Sequence, residues 1–445
     1  MVIPAGSSSP LRTLTKFSDS VAVQTAKSEH TLTSKDRTRR IVVKFGGSSL
    51  ANKERIAKAA SLISRESKKG TKLVVVVSAI GKMTDQLIGL VNHESGKSPD
   101  KPDLDDVLAM GERTSVRIFA TALKGEGLDA MYFDPSDEEW PIITDDQFSN
   151  ANPILELCLQ KVREHVVPLL DWGTVPVIAG FVGRSTDGKV STIGRGGSDT
   201  TAFIIARAIQ ADEVVLVTDS EGIFSADPQY VPAAKKLNRI DVRTLIGLAD
   251  SGTKFIHRKA LRYKDPDIPA RVISNQKDDL EADGTIITGG ISNEIEAVFA
   301  SNLPSMAITI TGKAISENPA ILAEIAGEIR NHSALNGLSA DFDSVIFYVP
   351  QDPSNSLLSS IHDVINKHGE ALAMAIQHDL AFLKVKGVGL EETPGIIGHV
   401  SMRLQENGVN IFGMLTLASS VLVFVSWDDK ERAMGLMKQV IKGGL

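Results

Sequence analysis

Apolar residues are distributed differently before and after residue 41. Up to that point the chain is polar, whereas from Ile41 onward short β-branched runs alternate with longer segments that carry apolar residues at helical spacing. Nearly continuous apolar runs are typical of strands buried on both faces of a sheet, and the helical segments between them are typical of its cover. The pattern predicts an α/β domain with a mostly parallel sheet sandwiched by helices. Strands are predicted at 41–43, 73–77, 175–178 and 214–217, helices at 56–63, 155–166 and 201–209, and a hairpin tip at Asp187-Gly188.

Smaller units follow residues 284–291. From Met306 the pattern predicts a strand, a helix at 320–329, a strand at 344–349, a helix at 357–366 and a strand at 371–376. A similar order follows, with strands at 382–388, 415–418 and 421–426 and helices at 395–407 and 430–441. This weak internal repeat of about 70 residues predicts two ferredoxin-like modules, which bury faces that neither could cover alone.

The first 39 residues are rich in Ser, Thr, Lys and Arg and have no apolar signal-peptide centre. A transit peptide shares that composition, but Asp19, Glu29 and Asp36 interrupt its acid-poor character. The segment therefore predicts either a disordered tail, which we favour, or an organellar targeting segment.

Composition limits the classes of function. A chain of 445 residues is too long for one core, and 42% hydrophobic with 23% charged residues is ordinary for a globular protein. No apolar run approaches the ~20 residues of a membrane span, and a net charge of -7 disfavours nucleic acid and anionic membranes as partners. The single cysteine, Cys158, lies at helical spacing from apolar neighbours, which predicts a core position and a reducing compartment such as the cytoplasm. The nine histidines show no metal-ligand spacing, so no protein-bound metal is predicted.

The first candidate for chemistry is the segment 43–50, where a predicted buried strand ends in Gly46-Gly47 and opens into a helix. Glycines allow close approach of backbone N–H groups to a phosphate, and a helix start adds partial positive charge. Lys44 adds a full positive charge at the same place. An ordinary strand-to-helix turn is the alternative, but it does not require a lysine at the strand end.

The string Lys44-Phe45-Gly46-Gly47-Ser48-Ser49 resembles the opening signature of the aspartate kinases in the amino-acid kinase family. The resemblance continues through residues 78–84, 111–112, 194–199, 218–224 and 227–228 and covers nearly everything from Ile41 to the C-terminus. Two positions depart from the family pattern: Arg258 stands where proline is common, and Phe224 stands where tyrosine is frequent. The resemblance implies an amino-acid kinase fold and a catalytic domain over residues 40–291.

The resemblance also implies roles for individual residues. Lys44, Gly47 and Asp199 would be catalytic, with Lys44 on the transferring phosphoryl group and Asp199 orienting the lysine or metal-bound waters. The aspartate pocket would be formed by Ser78, Thr84, Glu112, Arg195 and Ser198, with Glu112 facing the ammonium and Arg195 the carboxylate. ATP, with Mg2+ carried on its phosphates, would be held by Lys44, Gly46, Gly47, Ser48, Thr218, Asp219, Phe224, Asp227 and Lys254.

The chemistry is consistent with these residue types. A side-chain carboxylate is already ionised at neutral pH, so its phosphorylation needs no catalytic base but does need cations to offset the charge of ATP. Glu112 and Arg195 supply opposite charges for the two ends of an amino acid. Each has a structural alternative: Glu112 could compensate a helix dipole in a first turn, and Asp199 could be an N-cap before Thr200.

The C-terminal repeat resembles a pair of ACT domains, which bind free amino acids. Residues 387–395 resemble the strand-to-helix loop of that domain, and residues 311–320 occupy the equivalent place in the first repeat. The resemblance implies a regulatory region over 292–445, with one module at about 304–377 and the other formed by about 292–303 plus 378–445. Asn318, Pro319, Thr393 and Pro394 would then contact a lysine or threonine effector, although such loops can also be plain helix caps.

The resemblance as a whole implies a feedback-regulated aspartate kinase that begins lysine, threonine and methionine biosynthesis and works as a homodimer or higher homo-oligomer. Two alternatives stay open from the sequence. One is a kinase for another amino acid, such as glutamate or acetylglutamate. The other is a non-catalytic amino-acid sensor that kept the kinase shell.

Overall fold

The computed structural model describes residues 38–94, 99–249, 256–291, 296–299, 302–313, 315–368, 373–386, 395–417 and 420–442. The N-terminal apolar runs form the strands β1 (Arg40–Phe45), β2 (Lys72–Val77), β3 (Ala130–Phe133), β4 (Ile143–Thr144), β5 (Val175–Ala179), β6 (Val182–Ser185), β7 (Val190–Thr192), β8 (Glu213–Thr218), β9 (Arg239–Asp241), β10 (Ala270–Ser274) and β11 (Thr285–Thr288).

Eight of these strands form one sheet in the order β3-β5-β2-β1-β8-β10-β11-β9. All neighbours are parallel except β10 and β11, which are antiparallel. The central strands are apolar and buried on both faces, as Val42, Val43, Val75 and Val76 show with 0% exposure. The prediction of a mostly parallel sheet is confirmed.

Helices cover both faces of this sheet. They are α1 (Lys53–Lys68), α2 (Met83–Glu94), α3 (Lys101–Gly125), α4 (Leu155–His165), α5 (Val167–Trp172), α6 (Gly197–Ile209), α7 (Val242–Ala249) and α8 (Arg258–Leu261). Adjacent residues of a strand point to opposite faces, and β1 shows which helix lies where. Phe45 contacts Phe119 of α3, with ring centroids 5.5 Å apart, whereas Lys44 pairs with Asp199 of α6. Helices α3 and α6 therefore lie on opposite faces.

A three-stranded sheet stands beside the main one, in the order β4-β6-β7. Strands β6 and β7 are antiparallel and form the predicted hairpin. Gly188 at its tip has φ of +87°, a left-handed conformation that glycine adopts without steric cost. Cys158, on α4, is buried as predicted, and burial raises the pKa of its thiol to about 12.

The C-terminal region forms an antiparallel sheet. Its strands are β12 (Glu296–Phe299), β13 (Ser305–Thr311), β14 (Gly337–Ala340), β15 (Ser344–Pro350), β16 (Ala373–Lys386), β17 (Gly413–Leu417) and β18 (Ser420–Ser426), and its helices are α9 (Pro319–His332), α10 (Ser356–His368), α11 (Ile396–Glu406) and α12 (Lys430–Lys442). The order is β14-β15-β13-β16-β18-β17, and β12 pairs with β16. The predicted helices and most of the predicted strands are confirmed, although β14 had no clear sequence signal.

One prediction in this region was wrong. The separate strands expected at 371–376 and 382–388 are a single strand, β16, whose first half pairs with β13 and whose second half pairs with β18. A register shift between Ser305 and Ala307 marks a bulge, and Asp379 has φ of +54°. The polar residues 377–379 separate the two apolar patterns, but a bulge lets one strand change which residues face inward without ending.

The bulge keeps all four helices on one face of this sheet. Met374 and Ile376 pack under the cluster that includes α9 and α10, whereas Leu383 and Val385 pack under the cluster that includes α11 and α12. The opposite face carries its own apolar cluster, in which the rings of Tyr348 and Phe424 stack 3.7 Å apart. The two predicted modules therefore share one sheet, while the domain boundaries at 40–291 and 292–445 stay a prediction.

None of the helices in the described part of the chain is long and apolar enough to cross a membrane.

Candidate active site

The carboxyl ends of the central parallel strands meet at one edge of the sheet, which is where α/β proteins bind ligands. The loop after β1 is fixed against its neighbours there. Gly46 N and Ser49 Oγ both donate to Val217 O of β8, at 3.2 and 3.1 Å. Ser78 N, after β2, donates to Phe45 O at 3.1 Å. The loops that the sequence singled out are thus brought together by strand order.

Gly47 lies where only glycine fits. A Cβ atom at this position would stand 2.8 Å from Ala79 O, closer than real Cβ contacts, and 3.0 Å from Gly81 O. The Gly47 carbonyl accepts a hydrogen bond from Gly81 N at 3.1 Å. The loop after β1 therefore lies directly against the loop after β2, and the glycine is needed for that approach.

Lys44 and Asp199 form an ion pair. Lys44 Nζ lies 2.7 Å from Asp199 Oδ1, and the two side chains are only 16% and 11% exposed. Asp199 is the third residue of α6, whose N-cap is Gly196, so the alternative in which Asp199 is itself the N-cap is wrong. The predicted role of Asp199, to orient the lysine, agrees with this geometry because the carboxylate holds the ammonium at the strand end.

Ser198 and Ser78 are also brought together, since Ser78 Oγ donates to Ser198 Oγ at 2.9 Å. Gly180, after β5, permits this packing: a Cβ there would lie 2.5 Å from Ser198 Cβ. Gly180 is not predictable from the sequence, because a glycine after an apolar run is too common a signal.

Glu112 is buried, with 3% exposure, in the middle of α3. The alternative in which it compensates a helix dipole in a first turn is therefore wrong. Its Oε1 accepts from Ala79 N at 3.1 Å, and its buried Oε2 has no hydrogen-bond partner among the described residues. Burial raises the pKa of the carboxyl group to about 7. A carboxylate in this setting can accept a cationic ligand such as an ammonium group.

Arg195 lies in the loop that leads into α6, and its side chain is exposed. The glycines on either side, Gly194 and Gly196, have φ of +81° and +74°, so the loop turns sharply at both. Thr84 is half-buried in the first turn of α2. Both residues lie in loops or helix starts at the edge described above, and their contact with a ligand stays a prediction.

The predicted nucleotide segment begins where β8 ends. Asn275 N, after β10, donates to Thr218 O at 2.6 Å, and Thr218 Oγ1 donates to Asp219 Oδ1 at 3.1 Å. Half-buried Phe224 forms a β-bridge with Lys236. Asp227 Oδ1 accepts from Gln229 N at 2.8 Å, which gives this carboxylate a turn-forming role. Lys254 lies outside the described residues.

Asn275 is a further residue at this edge, and no sequence pattern predicts its position. Besides its bond to Thr218, its Nδ2 donates to Ser49 Oγ at 3.4 Å, so it links the loops after β10 and β1. An asparagine after a short apolar run is typical of many turns, and only the order of strands reveals its position.

The predicted effector residues are described in part. Asn318 is the N-cap of α9, with its Oδ1 accepting from Ile321 N at 3.4 Å, and Pro319 is the first helical residue. These are the contacts of a helix cap. Thr393 and Pro394 lie outside the described residues, so effector binding stays a prediction.

Across the described ranges, no group of three or more His, Cys, Asp or Glu side chains could hold a metal ion. The carboxylate of Asp219 and the hydroxyl of Thr218 are the hard oxygen donors that Mg2+ prefers. A magnesium ion that arrives on nucleotide phosphates needs few protein ligands, so these residues fit it.

Known proteins resemble this chain in sequence and in fold. The profile of the amino acid kinase family matches residues 39–274. An aspartokinase of Thermus thermophilus is 31% identical over 418 residues, covering 90% of this chain and 98% of the relative. An aspartokinase of Rickettsia felis is 31% identical over 404 residues, covering 88% and 96%. The aspartate kinase of Synechocystis superposes with a TM-score of 0.73 at 25% identity, covering 90% of this chain and 69% of that one.

The end of β1 carries a lysine and a glycine loop, and the lysine pairs with an aspartate at the start of α6. The chain that folds in this way belongs to the amino acid kinase family. Within that family its relatives are aspartokinases, which it matches over nearly the whole length of both chains.

Proposed function

We propose that this chain transfers the γ-phosphoryl group of ATP to the side-chain carboxylate of L-aspartate, giving 4-phospho-L-aspartate. The observation that carries the proposal is the Lys44–Asp199 ion pair of 2.7 Å beside the Gly46-Gly47 loop, in a chain that aligns with aspartokinases over about nine-tenths of its length. The reaction is the first step towards lysine, threonine and methionine.

Phosphoryl transfer between two anions depends on positioning and positive charge. The backbone N–H groups of Gly47 and Ser48 can meet phosphate oxygens, and the ammonium of Lys44 is held nearby by Asp199. Because the carboxylate of aspartate is the nucleophile and is ionised at neutral pH, no residue has to remove a proton. Thr218, Asp219, Phe224, Asp227 and Lys254 are proposed to hold the remainder of the nucleotide.

Two opposite charges are proposed to recognise the amino acid. Glu112 accepts the α-ammonium group on its unpartnered Oε2, and Arg195 binds a carboxylate through its planar guanidinium. Ser78, Thr84 and Ser198 complete the pocket, with the Ser78–Ser198 hydrogen bond of 2.9 Å fixing two of these hydroxyls. An ammonium ion favours ionised Glu112, so binding lowers the raised pKa of that group.

Magnesium, when bound with ATP, neutralises part of the phosphate charge. Asp219 and Thr218 are the described residues that would face it, and Asp199 could hold water in its shell in addition to orienting Lys44.

The C-terminal sheet is proposed to be a regulator that binds lysine or threonine and joins chains into a homodimer or larger homo-oligomer, in the cytoplasm. Two observations support this: two halves that each carry a pair of helices share one sheet, and Asn318 and Pro319 lie at the start of α9. Residues 311–320 and 387–395 are the segments proposed to contact the effector.

An ATP-dependent hydroxamate assay over a panel of amino acids tests the proposal. Aspartate is expected to give acyl hydroxamate, whereas glutamate and acetylglutamate are expected to give little. Hydroxamate formed preferentially from another amino acid would establish the rival kinase, and amino-acid binding without hydroxamate from any of them would establish a sensor.

A further inference from the structure

Two buried side chains of opposite charge lie behind the loop that carries Arg195. Asp105, on α3, has 0% exposure, and Lys259, on α8, has 6% exposure. An isolated charge in a protein interior costs several kcal/mol unless its hydrogen-bonding capacity is satisfied. The hydrogen-bond partners of each side chain therefore indicate its structural role.

Asp105 binds backbone and side-chain donors on two segments. Its Oδ2 accepts from Ser149 N at 2.8 Å and from Thr192 N at 2.7 Å, and its Oδ1 accepts from Thr192 Oγ1 at 2.8 Å. Ser149 has φ of +69°, a conformation that non-glycine residues rarely adopt. The carboxylate thus holds an unusual turn at Ser149 against the end of β7.

Lys259 binds the acceptors of the same two segments. Its Nζ donates to Asn150 O, Asn150 Oδ1, Ala151 O and Ile193 O at 3.0, 2.8, 2.9 and 2.7 Å. The aspartate therefore takes N–H groups and the lysine takes carbonyl groups of residues 149–151 and 192–193. Irregular backbone of this kind has few ladder partners of its own, so the two charges specify its geometry.

The loop that carries Arg195 begins directly after residues 192–193, the second segment that Asp105 and Lys259 hold. Ile193, whose carbonyl binds Lys259, directly precedes Gly194. A Cβ on Gly194 would lie 2.8 Å from Asn150 Oδ1, the same atom that Lys259 binds. At the other side of the loop, a Cβ on Gly196 would lie 2.4 Å from His257 Cβ, two residues before Lys259. The loop is therefore in close contact with Asn150 at Gly194 and with His257, just before Lys259, at Gly196.

We propose that Asp105 and Lys259 are positioning residues for amino-acid recognition: together they hold residues 149–151 and 192–193 so that the following loop presents Arg195 to the substrate carboxylate. The inference rests on the proposed function, since it assigns a purpose to the fixed loop. The inference extends the site to two residues that contact neither substrate. It also implies that replacing either residue weakens binding of the amino acid more than binding of the nucleotide.

Steady-state kinetics of Lys259→Met and Asp105→Asn test the proposal in the full-length protein. Each variant is expected to raise KM for aspartate by about tenfold or more with KM for ATP changed less than about threefold, because misplacing a binding group by about 1 Å costs up to about 100-fold. Peptides covering residues 190–199 are expected to exchange amide hydrogens faster in both variants.

Lys264→Met is the matched control. Lys264 is equally buried, with 2% exposure, and its Nζ also donates to backbone carbonyls, those of Asp265, Ile268 and Gly289 at 3.1, 2.8 and 2.6 Å. Its acceptors do not adjoin the Arg195 loop, so this variant is expected to lower Tm while leaving KM for aspartate within about twofold of wild type.

The outcomes separate the inference from the function. If wild type makes no phosphoaspartate, the proposed function fails, whereas an active wild type with unchanged KM for aspartate in a folded Lys259→Met overturns the inference alone. Equal rises in KM for aspartate and ATP also overturn it, because they indicate a general structural role. Should Lys259→Met and Asp105→Asn not fold, Asn150→Ala decides: it removes the side-chain acceptor at 2.8 Å and is expected to raise KM for aspartate by about threefold, and no rise rejects the proposal.

Discussion

The two halves of the chain bury different kinds of side chain. In the described part of the C-terminal region, residues 296–442, the buried polar side chains are those of Ser305 and Ser420. The N-terminal region buries many charged groups, among them Glu66, Asp105, Glu112, Asp134, Asp199, Arg258, Lys259 and Lys264. Apolar packing therefore stabilises the C-terminal sheet, whereas the N-terminal domain combines apolar packing with buried charged groups.

The difference shows where function constrains each half. Buried charges cost free energy, and replacing them by apolar groups often stabilises a protein, so their presence marks geometry that apolar packing cannot specify. In the N-terminal domain several of these charges converge on the carboxyl edge of the sheet. The interior of the C-terminal sheet is almost wholly apolar. Specific ligand contacts therefore have to come from loops and helix starts, such as the one at Asn318.

The largest expected effect comes from the charged half. Lys44→Ala is expected to lower kcat by about 10^4-fold, or about 5 kcal/mol, because it removes a cation that offsets charge in the transition state. The fold should remain, as judged by circular dichroism. Lys72→Ala is the control, because Lys72 pairs with Asp171 at 2.6 Å but is the first residue of β2, at the opposite edge of the sheet from the end of β1. Near-normal kcat in folded Lys44→Ala would refute the role of Lys44.

Phe424→Ala tests whether the apolar half is separable from catalysis. Phe424 has 0% exposure and stacks with Tyr348, so its truncation is expected to cost about 3–4 kcal/mol in the free energy of unfolding. Urea denaturation measures this loss, and Leu338→Ala, at a side chain that is 48% exposed, should change it by less than about 0.5 kcal/mol. Turnover of the folded variant without effector should persist. A simultaneous collapse of turnover at low temperature would show that the two halves are not separable.

The pH dependence of stability in Glu112→Gln tests how much one buried charge of the N-terminal domain costs. The folded-state pKa of Glu112 is raised from 4.5 to about 7, so the unfolded chain ionises first and stability falls as pH rises between these values. Removing the charge is expected to make the variant more stable than wild type by about 3 kcal/mol at pH 8, with no gain below pH 4.5. Denaturation at both pH values measures the gain. A variant that is less stable at pH 8 would contradict the burial argument.

The same substitution should weaken substrate binding. In wild type, KM for aspartate is expected to fall as pH rises through about 7, because only ionised Glu112 binds an ammonium group. The variant should lack this dependence and show a raised KM for aspartate with little change for ATP. A pH-independent KM in wild type would remove Glu112 from the ammonium site.

The smallest expected effect is at Asn318. Loss of its N-cap bond in Asn318→Ala is expected to cost about 1 kcal/mol of stability. If Asn318 also contacts an effector, inhibition by lysine or threonine should weaken before uninhibited turnover changes. Asn52→Ala is the control, because Asn52 caps α1 in the same way, with Arg55 N donating at 2.9 Å. Unchanged inhibition in Asn318→Ala, titrated beside the control, would leave Asn318 a cap only.

Sequence reading was most successful where local patterns decide the structure. The apolar runs predicted the central strands, and the Lys44-to-Ser49 string predicted a loop that lies at the sheet edge. It was less successful where a residue's place depends on distant segments. The sequence left open that Glu112 lies in the first turn of a helix, because Gly111 before it could precede a helix start. In the structure the helix α3 begins ten residues before Gly111, at Lys101. The strand β16 was divided because a bulge looks like a loop in a linear pattern.

Residues whose role depends on packing in three dimensions left little sequence signal. Asp105 and Lys259 are ordinary charged residues in a helical pattern, and 154 positions separate them, yet they bind the same two backbone segments. Asn275 likewise joins β8 and β1 only because β10 follows β8 in the sheet. Strand order and close backbone contacts determine such positions, and no single-sequence pattern encodes them.

Phosphorus NMR of the protein with MgATP and L-aspartate tests the central claim most directly. An acyl-phosphate resonance is expected to grow as ATP is converted to ADP, to require aspartate, and to be absent with Lys44→Ala. Conversion of ATP with no acyl phosphate, or an acyl phosphate formed from glutamate but not from aspartate, would contradict it.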